Sequence, residues 1–241
     1  TSLQPQPRLD AALDRALIAR VYRQVGRVHI PGVFPGEVAK RVHAALAHET
    51  PWQLSLANRG TNAGLDLSTW DALTAERKAE LQRLVHDGAA HGFQYLYKNF
   101  PLDDHRAAGR HADHYLMSVL EFLNSAPFLE FARGITGAPG IRRVDAQATL
   151  YEAGHFLTRH DDHDPPKRRV AANGQNVTPQ WRADWGGSLQ FYDADGHVSE
   201  GYVPAFNALN VFRVPQPHAV SFVAPYARAG RYSITGWMRE D

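Results

Sequence analysis

The hydrophobic period of this sequence changes near residue 142, and that change limits the folds open to it. In Val144 to Tyr151 the apolar residues Val144, Ala146, Ala148 and Leu150 fall on one face of an extended chain; Asp145, Gln147, Thr149 and Tyr151 fall on the other. Short alternating runs follow at 155–162, 169–178, 187–192, 200–204, 208–214, 218–223 and 231–238, separated by Gly, Pro, Asn and Asp. Several short strands punctuated by turn residues predict a β-sandwich or barrel.

Before residue 142 the period is helical. Leu9, Leu13, Leu17 and Val21 recur every fourth residue and Gly26 follows where a helix stops, which predicts a helix over about 8–25. A short strand at Arg27 to Ile30, a turn at Pro31-Gly32 and a helix over 36–49 come next, then a strand at Trp52 to Leu56. The pattern predicts a third helix over 74–98, weakened by Gly88 and Gly92, and two more at 113–123 and 127–135. No repeat or linker separates the halves. The expected fold is one α+β domain over 1–241, with residues 1–140 as mostly helical support packed on a double β-sheet.

Composition narrows the chemistry. A chain of 241 residues hides roughly 70% of its unfolded surface on folding, enough for a large core. A formal net charge of +1 gives no electrostatic reason to bind nucleic acid or an anionic membrane. The absence of Cys excludes disulfides, Cys-ligated zinc, iron–sulfur clusters and thiol nucleophiles, so a metal must sit on His, Asp or Glu. No apolar run approaches the ~18 residues that span a bilayer, and the opening TSLQPQPRLD is no leader, so a cytoplasmic protein is expected.

Thirteen histidines raise the prior for metal chemistry. Two His-x-Asp triplets occur. In His160-Asp161-Asp162, placed on a strand, residues i and i+2 share a face, so His160 and Asp162 reach one ion; His111-Ala112-Asp113 opens a predicted helix, where such residues diverge. His218, leading the run HAVSFV, is the best third ligand. Two His and one Asp form a facial triad that leaves adjacent coordination positions open, the arrangement suited to non-haem Fe(II), whereas zinc prefers a nearly closed tetrahedron. In RYSITGW, Arg231, Ser233, Thr235 and Trp237 share one face. A buried guanidinium there forks onto a carboxylate, with Ser233 satisfying a remaining oxygen.

These residues resemble a known family. YEAGHFLTRHDD (151–162), WGGSLQFYD (185–193), VPQPHAVSFV (214–223) and RYSITGW (231–237) are similar to the successive motifs of prolyl-hydroxylase-type 2-oxoglutarate- and Fe(II)-dependent dioxygenases. The resemblance implies a double-stranded β-helix, or jelly roll, with His160, Asp162 and His218 as iron ligands and Arg231 on the distal carboxylate of 2-oxoglutarate. Tyr151 then contacts the cosubstrate, and O2 is the second cosubstrate. It implies hydroxylation of an unactivated C–H bond, of a prolyl residue in a protein or peptide or else of a small molecule. His218 to Arg231 is long for the family, so Arg228 rivals Arg231. The segment 163–184, with Arg168-Arg169, is expected at the rim, its arginines as a solvated strand start.

Gln147 and Thr149 are candidate pocket residues, Trp181 and Trp185 core or rim aromatics, and His155, His163 and His197 surface residues. Two other function classes fit the same residues: a cupin-type protein that binds metal or a small acid without turnover, and a metal-dependent hydrolase or isomerase, which has no need of an anchored dicarboxylate.

Overall fold

The computed structural model describes residues 4–58 and 61–241. Among these, seven α-helices occur: α1 (Arg15–Val25), α2 (Gly36–His48), α3 (Leu67–Ala72), α4 (Ala75–His91), α5 (Leu102–Ala107), α6 (Tyr115–Leu123) and α7 (Ala126–Thr136). Thirteen strands accompany them: β1 (Arg27–Pro31), β2 (Gln53–Asn58), β3 (Thr61–Asp66), β4 (Tyr95–Pro101), β5 (Arg143–Val144), β6 (Gln147–Tyr151), β7 (Phe156–His160), β8 (Arg169–Val177), β9 (Leu189–Tyr192), β10 (Val198–Tyr202), β11 (Phe206–Arg213), β12 (His218–Val220) and β13 (Arg231–Arg239). No described helix is long and apolar enough to cross a membrane.

The strands pair antiparallel in the order β1-β11-β8-β13-β6-β4-β7-β12-β9-β10, with β2 and β3 added at β4 and β5 at β13. The sheet curls into a nearly closed barrel, the jelly roll expected. One layer, β1-β11-β8-β13-β6, turns one face outward onto helices. Val144, Ala146, Ala148, Ala171, Leu209, Val211, Ile234 and Met238 from that face join Val38, Val42 and Leu46 of α2, Leu116 and Leu120 of α6 and Phe128 and Phe131 of α7 in one core. The alternate residues Gln147, Thr149, Tyr151, Phe212, Thr235 and Trp237 face the barrel interior. The period-2 pattern is therefore a division of labour, apolar residues toward the helices and polar ones toward a cavity.

The first half departs from expectation at its first helix and in the segment 74–98, and it adds β3, α3 and α5. Helix α1 starts at Arg15, not near residue 8, because Asp10 Oδ1 accepts from the Ala12 N–H (2.9 Å) and Asp14 Oδ1 caps the helix at Leu17 N–H (2.9 Å). Leu17 is 44% exposed; Ile18, Ala19 and Tyr22 carry the buried face instead. The helix expected over 74–98 ends at His91, and Tyr95–Pro101 is strand β4. Its aromatic-rich YLYKNF suits a pleated surface, and pairing decides the matter: Lys98 to Pro101 pair with β6, Tyr95 and Leu96 with β7. The first half is thus not only helical support, since β4 joins the two layers of the barrel.

His155 is a further correction. Expected at the surface, it is 8% exposed in the turn between β6 and β7, where its Nδ1 accepts from the Glu152 N–H (3.1 Å) and its carbonyl accepts from Val223 N–H (2.9 Å). Burial pushes its pKa down to about 4. An unfolded histidine takes up its proton near pH 6.5, so between pH 6.5 and 4 the unfolded chain holds more protons and folding loses stability as pH falls. The loss reaches up to roughly 3 kcal/mol from this one residue. Urea unfolding of wild type and His155→Gln between pH 7 and 4 should show a shallower decline in the variant; parallel curves would contradict the assignment.

Candidate active site

The site forms where β7 and β12 pair. His160 sits directly across from His218, so both rings lie on the same face with centroids 4.1 Å apart. His160 Nδ1 lies 3.0 Å from the Thr158 carbonyl and His218 Nδ1 lies 2.8 Å from the Gln216 carbonyl. Each Nδ1 is thereby assigned as the N–H donor, leaving each Nε2 with a free lone pair. Asp162 Oδ1 is 3.3 Å from His160 Nε2 and Asp162 Oδ2 is 3.3 Å from His218 Nε2. One ligand atom from each of the three lies within 4.8 Å of the others.

The route by which Asp162 arrives differs from the sequence argument. Strand β7 ends at His160, so strand alternation does not bring Asp162 into line. It lies beyond the strand at φ +64°, in the left-handed region that a short polar side chain tolerates, and this turn swings its carboxylate back over the imidazoles. His111 and Asp113, the alternative triplet, are exposed.

The electrostatics suit a cation. Burial lowers the His218 pKa to about 4, with the neighbouring His160 acting in the same direction, so the ring is a neutral donor at neutral pH. Burial alone would raise the Asp162 pKa, but the facing imidazoles of His160 and His218 hold it below the ordinary carboxylate value. Two imidazoles and a carboxylate on one side of a cavity are the donor set of a facial non-haem iron site.

The cavity beside the triad measures about 550 Å³. Arg231, at the start of β13, is 5% exposed and lines it, and among the described residues it makes no ion pair. Its Nη1 donates to Ser233 Oγ (3.2 Å), its guanidinium stands 5.0 Å from the centroid of the Tyr151 ring, and its Nε is buried without a partner. Burial lowers its pKa, with Tyr151 the one opposing influence. An uncompensated buried cation aimed into a cavity fits a carboxylate ligand. Arg228, its rival, is exposed and lies outside the cavity lining.

Ser233 is fully buried and shares its hydroxyl with Arg231 and Thr149 Oγ (3.2 Å); Gln147, Thr149 and Thr235 reach the cavity wall. Tyr151, 3% exposed, stacks on Tyr97 with centroids 5.0 Å apart, and burial drives both phenols up, Tyr97 to about 12. Trp181 and Trp185 stay out of the lining; the Trp181 indole donates to the Gly186 carbonyl (2.9 Å). Gly186, at φ +72°, lies so close to the Phe222 carbonyl that a Cβ would collide with it. His163 and His197 are exposed, as expected.

Sequence reasoning missed Tyr95, Tyr97 and Phe93, hidden in the segment assigned to a helix; the alternation of YLYKNF after Gly92 was the available signal. Arg168 is exposed, as expected, but Arg169 is not a solvated strand start: its side chain is 12% exposed and its guanidinium lies over Trp237 at 3.6 Å.

Comparison with known proteins gives the same picture. Residues 146–239 match the model of the 2OG-Fe(II) oxygenase superfamily. The mouse (Mus musculus) prolyl 3-hydroxylase OGFOD1 is 31% identical over 128 residues, which cover 50% of this chain and 23% of that protein, so the chain spans under a quarter of that relative's length. Among solved structures, a Pseudomonas putida prolyl-4-hydroxylase superposes with TM-score 0.51 at 19% identity, covering 94% of this chain and 99% of its own. A Trichoplax adhaerens prolyl hydroxylase in complex with a hypoxia inducible factor peptide fragment gives 0.63 at 16% identity, covering 94% and 89%. The two structures share the fold. The matched segment, residues 146–239, contains His160, Asp162, His218 and Arg231, so the residues gathered at this cavity lie within the part of the chain that is similar to the 2OG-Fe(II) oxygenase superfamily.

Proposed function

We propose that the chain is a 2-oxoglutarate-dependent dioxygenase that hydroxylates a prolyl residue of a protein or peptide, with residues 1–241 acting as one catalytic domain. The observation that carries this reading is a buried, unpaired Arg231 in the same cavity as a His-Asp-His triad. A hydrolase or a simple metal store has no use for that cation. The prolyl substrate follows the names of the relatives, OGFOD1 and the two prolyl hydroxylases. The cytoplasm, where thiols are kept reduced, is the compartment this reading assigns.

Bound Fe(II) supplies, with 2-oxoglutarate and O2, the oxidising power to hydroxylate an unactivated C–H bond as the cosubstrate becomes succinate and CO2. His160, Asp162 and His218 would hold the metal, one ligand atom from each. Arg231 grips the far carboxylate of 2-oxoglutarate, and Ser233 fixes the guanidinium so that little freedom is lost on binding. Tyr151, stacked on Tyr97, walls the cosubstrate end against water. The rest of the cavity, toward Phe93 and Arg169, receives the substrate, whose C–H must be held at the metal.

Succinate formation by the purified chain, with a library of prolyl peptides and a small-molecule pool, tests the reading. Fe(II)-dependent succinate and a peptide mass gain of one oxygen are expected, with turnover abolished in His160→Ala. Arg231→Ala should raise the KM for 2-oxoglutarate roughly 10- to 100-fold, the worth of a charge-assisted hydrogen bond. No succinate under any condition would favour a binding protein, and an Arg231→Ala enzyme of unchanged activity would favour a hydrolase or isomerase.

Stability offers a second check of opposite sign. Arg231→Met removes a buried, unpaired charge, so without 2-oxoglutarate it should be more stable than wild type by on the order of 1 kcal/mol in urea. 2-Oxoglutarate should then raise the melting temperature of wild type but not of the variant. A destabilised Arg231→Met would mean that the cation is already compensated within the fold.

A further inference from the structure

The left-handed turn at Asp162 needs something to hold it, because a non-glycine residue gains nothing by itself at φ +64°. The Asp162 carboxylate is turned to the two imidazoles, which leaves its backbone carbonyl to another donor. Among the described residues one group donates to that carbonyl: Arg169 Nη1, at 3.1 Å. The same guanidinium brings Nη2 to 3.5 Å from the Asp164 carboxylate, so one planar fork spans both sides of residue 163.

Arg169 is itself fixed. Its guanidinium lies over the Trp237 ring at 3.6 Å, a cation–π contact made where little water reaches, and its Nε is buried without a partner. Arg169 opens β8 and Trp237 sits near the end of β13, two strands paired along most of their length. The guanidinium thus ties the end of the His-x-Asp segment, which belongs to the β7–β12 layer, to the opposite layer of the barrel.

We infer that Arg169, braced on Trp237, is a positioning residue that holds Asp162 in metal-binding geometry through the Asp162 backbone carbonyl. The inference rests on the triad reading above. Its chemistry is specific: the fork must donate to a carbonyl and a carboxylate while its flat face stays on an indole. Lysine keeps the charge but has neither the fork nor the face.

The test is metal binding by the ligand-free chain, with no turnover required. Mn(II) affinity is measured by titration calorimetry and Co(II) coordination by the visible d–d spectrum, for wild type, Asp162→Ala, Arg169→Ala, Arg169→Lys and Trp237→Phe. Circular dichroism and urea midpoints establish that each variant is folded. Trp237→Phe, which keeps a ring but loses the indole, covers the case in which Arg169→Ala does not fold.

Arg169→Ala is expected to weaken Mn(II) binding roughly 10- to 100-fold, the usual effect of removing a group that orients a ligand, and to alter the Co(II) spectrum. Arg169→Lys should recover only part of the loss, and Trp237→Phe should show a smaller change in the same direction. Unchanged affinity and spectrum in folded Arg169→Ala overturn the inference while leaving the triad intact, and a raised peptide KM in that protein would make Arg169 a substrate contact instead. If wild type and Asp162→Ala both fail to bind metal, the triad reading falls and takes this inference with it.

Discussion

The site depends on one cross-strand pair. β12 is three residues long and pinned between β7 and β9, and that double pairing sets His218 opposite His160. A slip of one residue on either side would turn one imidazole to the far face and leave the other without a partner. The register is reinforced beyond the strand, where Gly187 N–H donates to the Ser221 carbonyl (3.1 Å) and Ser221 N–H to the Ser188 carbonyl (3.0 Å). Backbone hydrogen bonds, not side-chain packing, therefore bring the two ligand nitrogens together, and their cost in ordering is met by the sheet as a whole.

Arg231 poses the opposite physical problem, a charge placed where the fold gains nothing from it. β13 is flanked by β6 and β8, and Arg231 pairs with Tyr151 of β6, two residues before the β8 pairing begins at Ser233. The Ser233 hydroxyl and the face of Tyr151 offset part of the desolvation, but neither carries a negative charge. Such local disagreement between stability and chemistry is characteristic of functional positions.

How legible this was in the sequence varies with the physics involved. The two faces of β6 were readable because alternation is a property of the chain itself: Ala146 and Ala148 went to the helices, Gln147, Thr149 and Tyr151 to the cavity. The four motifs located the triad and Arg231. What sequence reasoning missed depended on partners it cannot see. β4 became a strand because β6 and β7 were there to pair with it, and His155 is buried because the Val223 segment covers its turn. Asp162 was placed correctly for a wrong reason, since left-handed geometry at an aspartate leaves no periodic trace. Arg169 looked like a solvated strand start because nothing adjacent to it marks Trp237, nearly seventy residues on, as its platform.

The two halves of the site also lie on different layers. On the proposed function, the metal-binding side chains come from β7, β12 and the turn after β7, and the carboxylate anchor comes from β13. β6 and β4 join these layers, and the Tyr97–Tyr151 stack stands at that junction. The separation of metal from anchor is consequently a dimension of the sheet, insensitive to loop sequence and suited to a cosubstrate of constant length. The rest of the cavity is built differently, from the rim around Phe93, Lys167 and Arg169, where the chain leaves regular structure. A fold arranged this way keeps its cosubstrate chemistry fixed while its loops vary the substrate, so a short left-handed turn that both layers must hold is the point where the constant and variable parts meet.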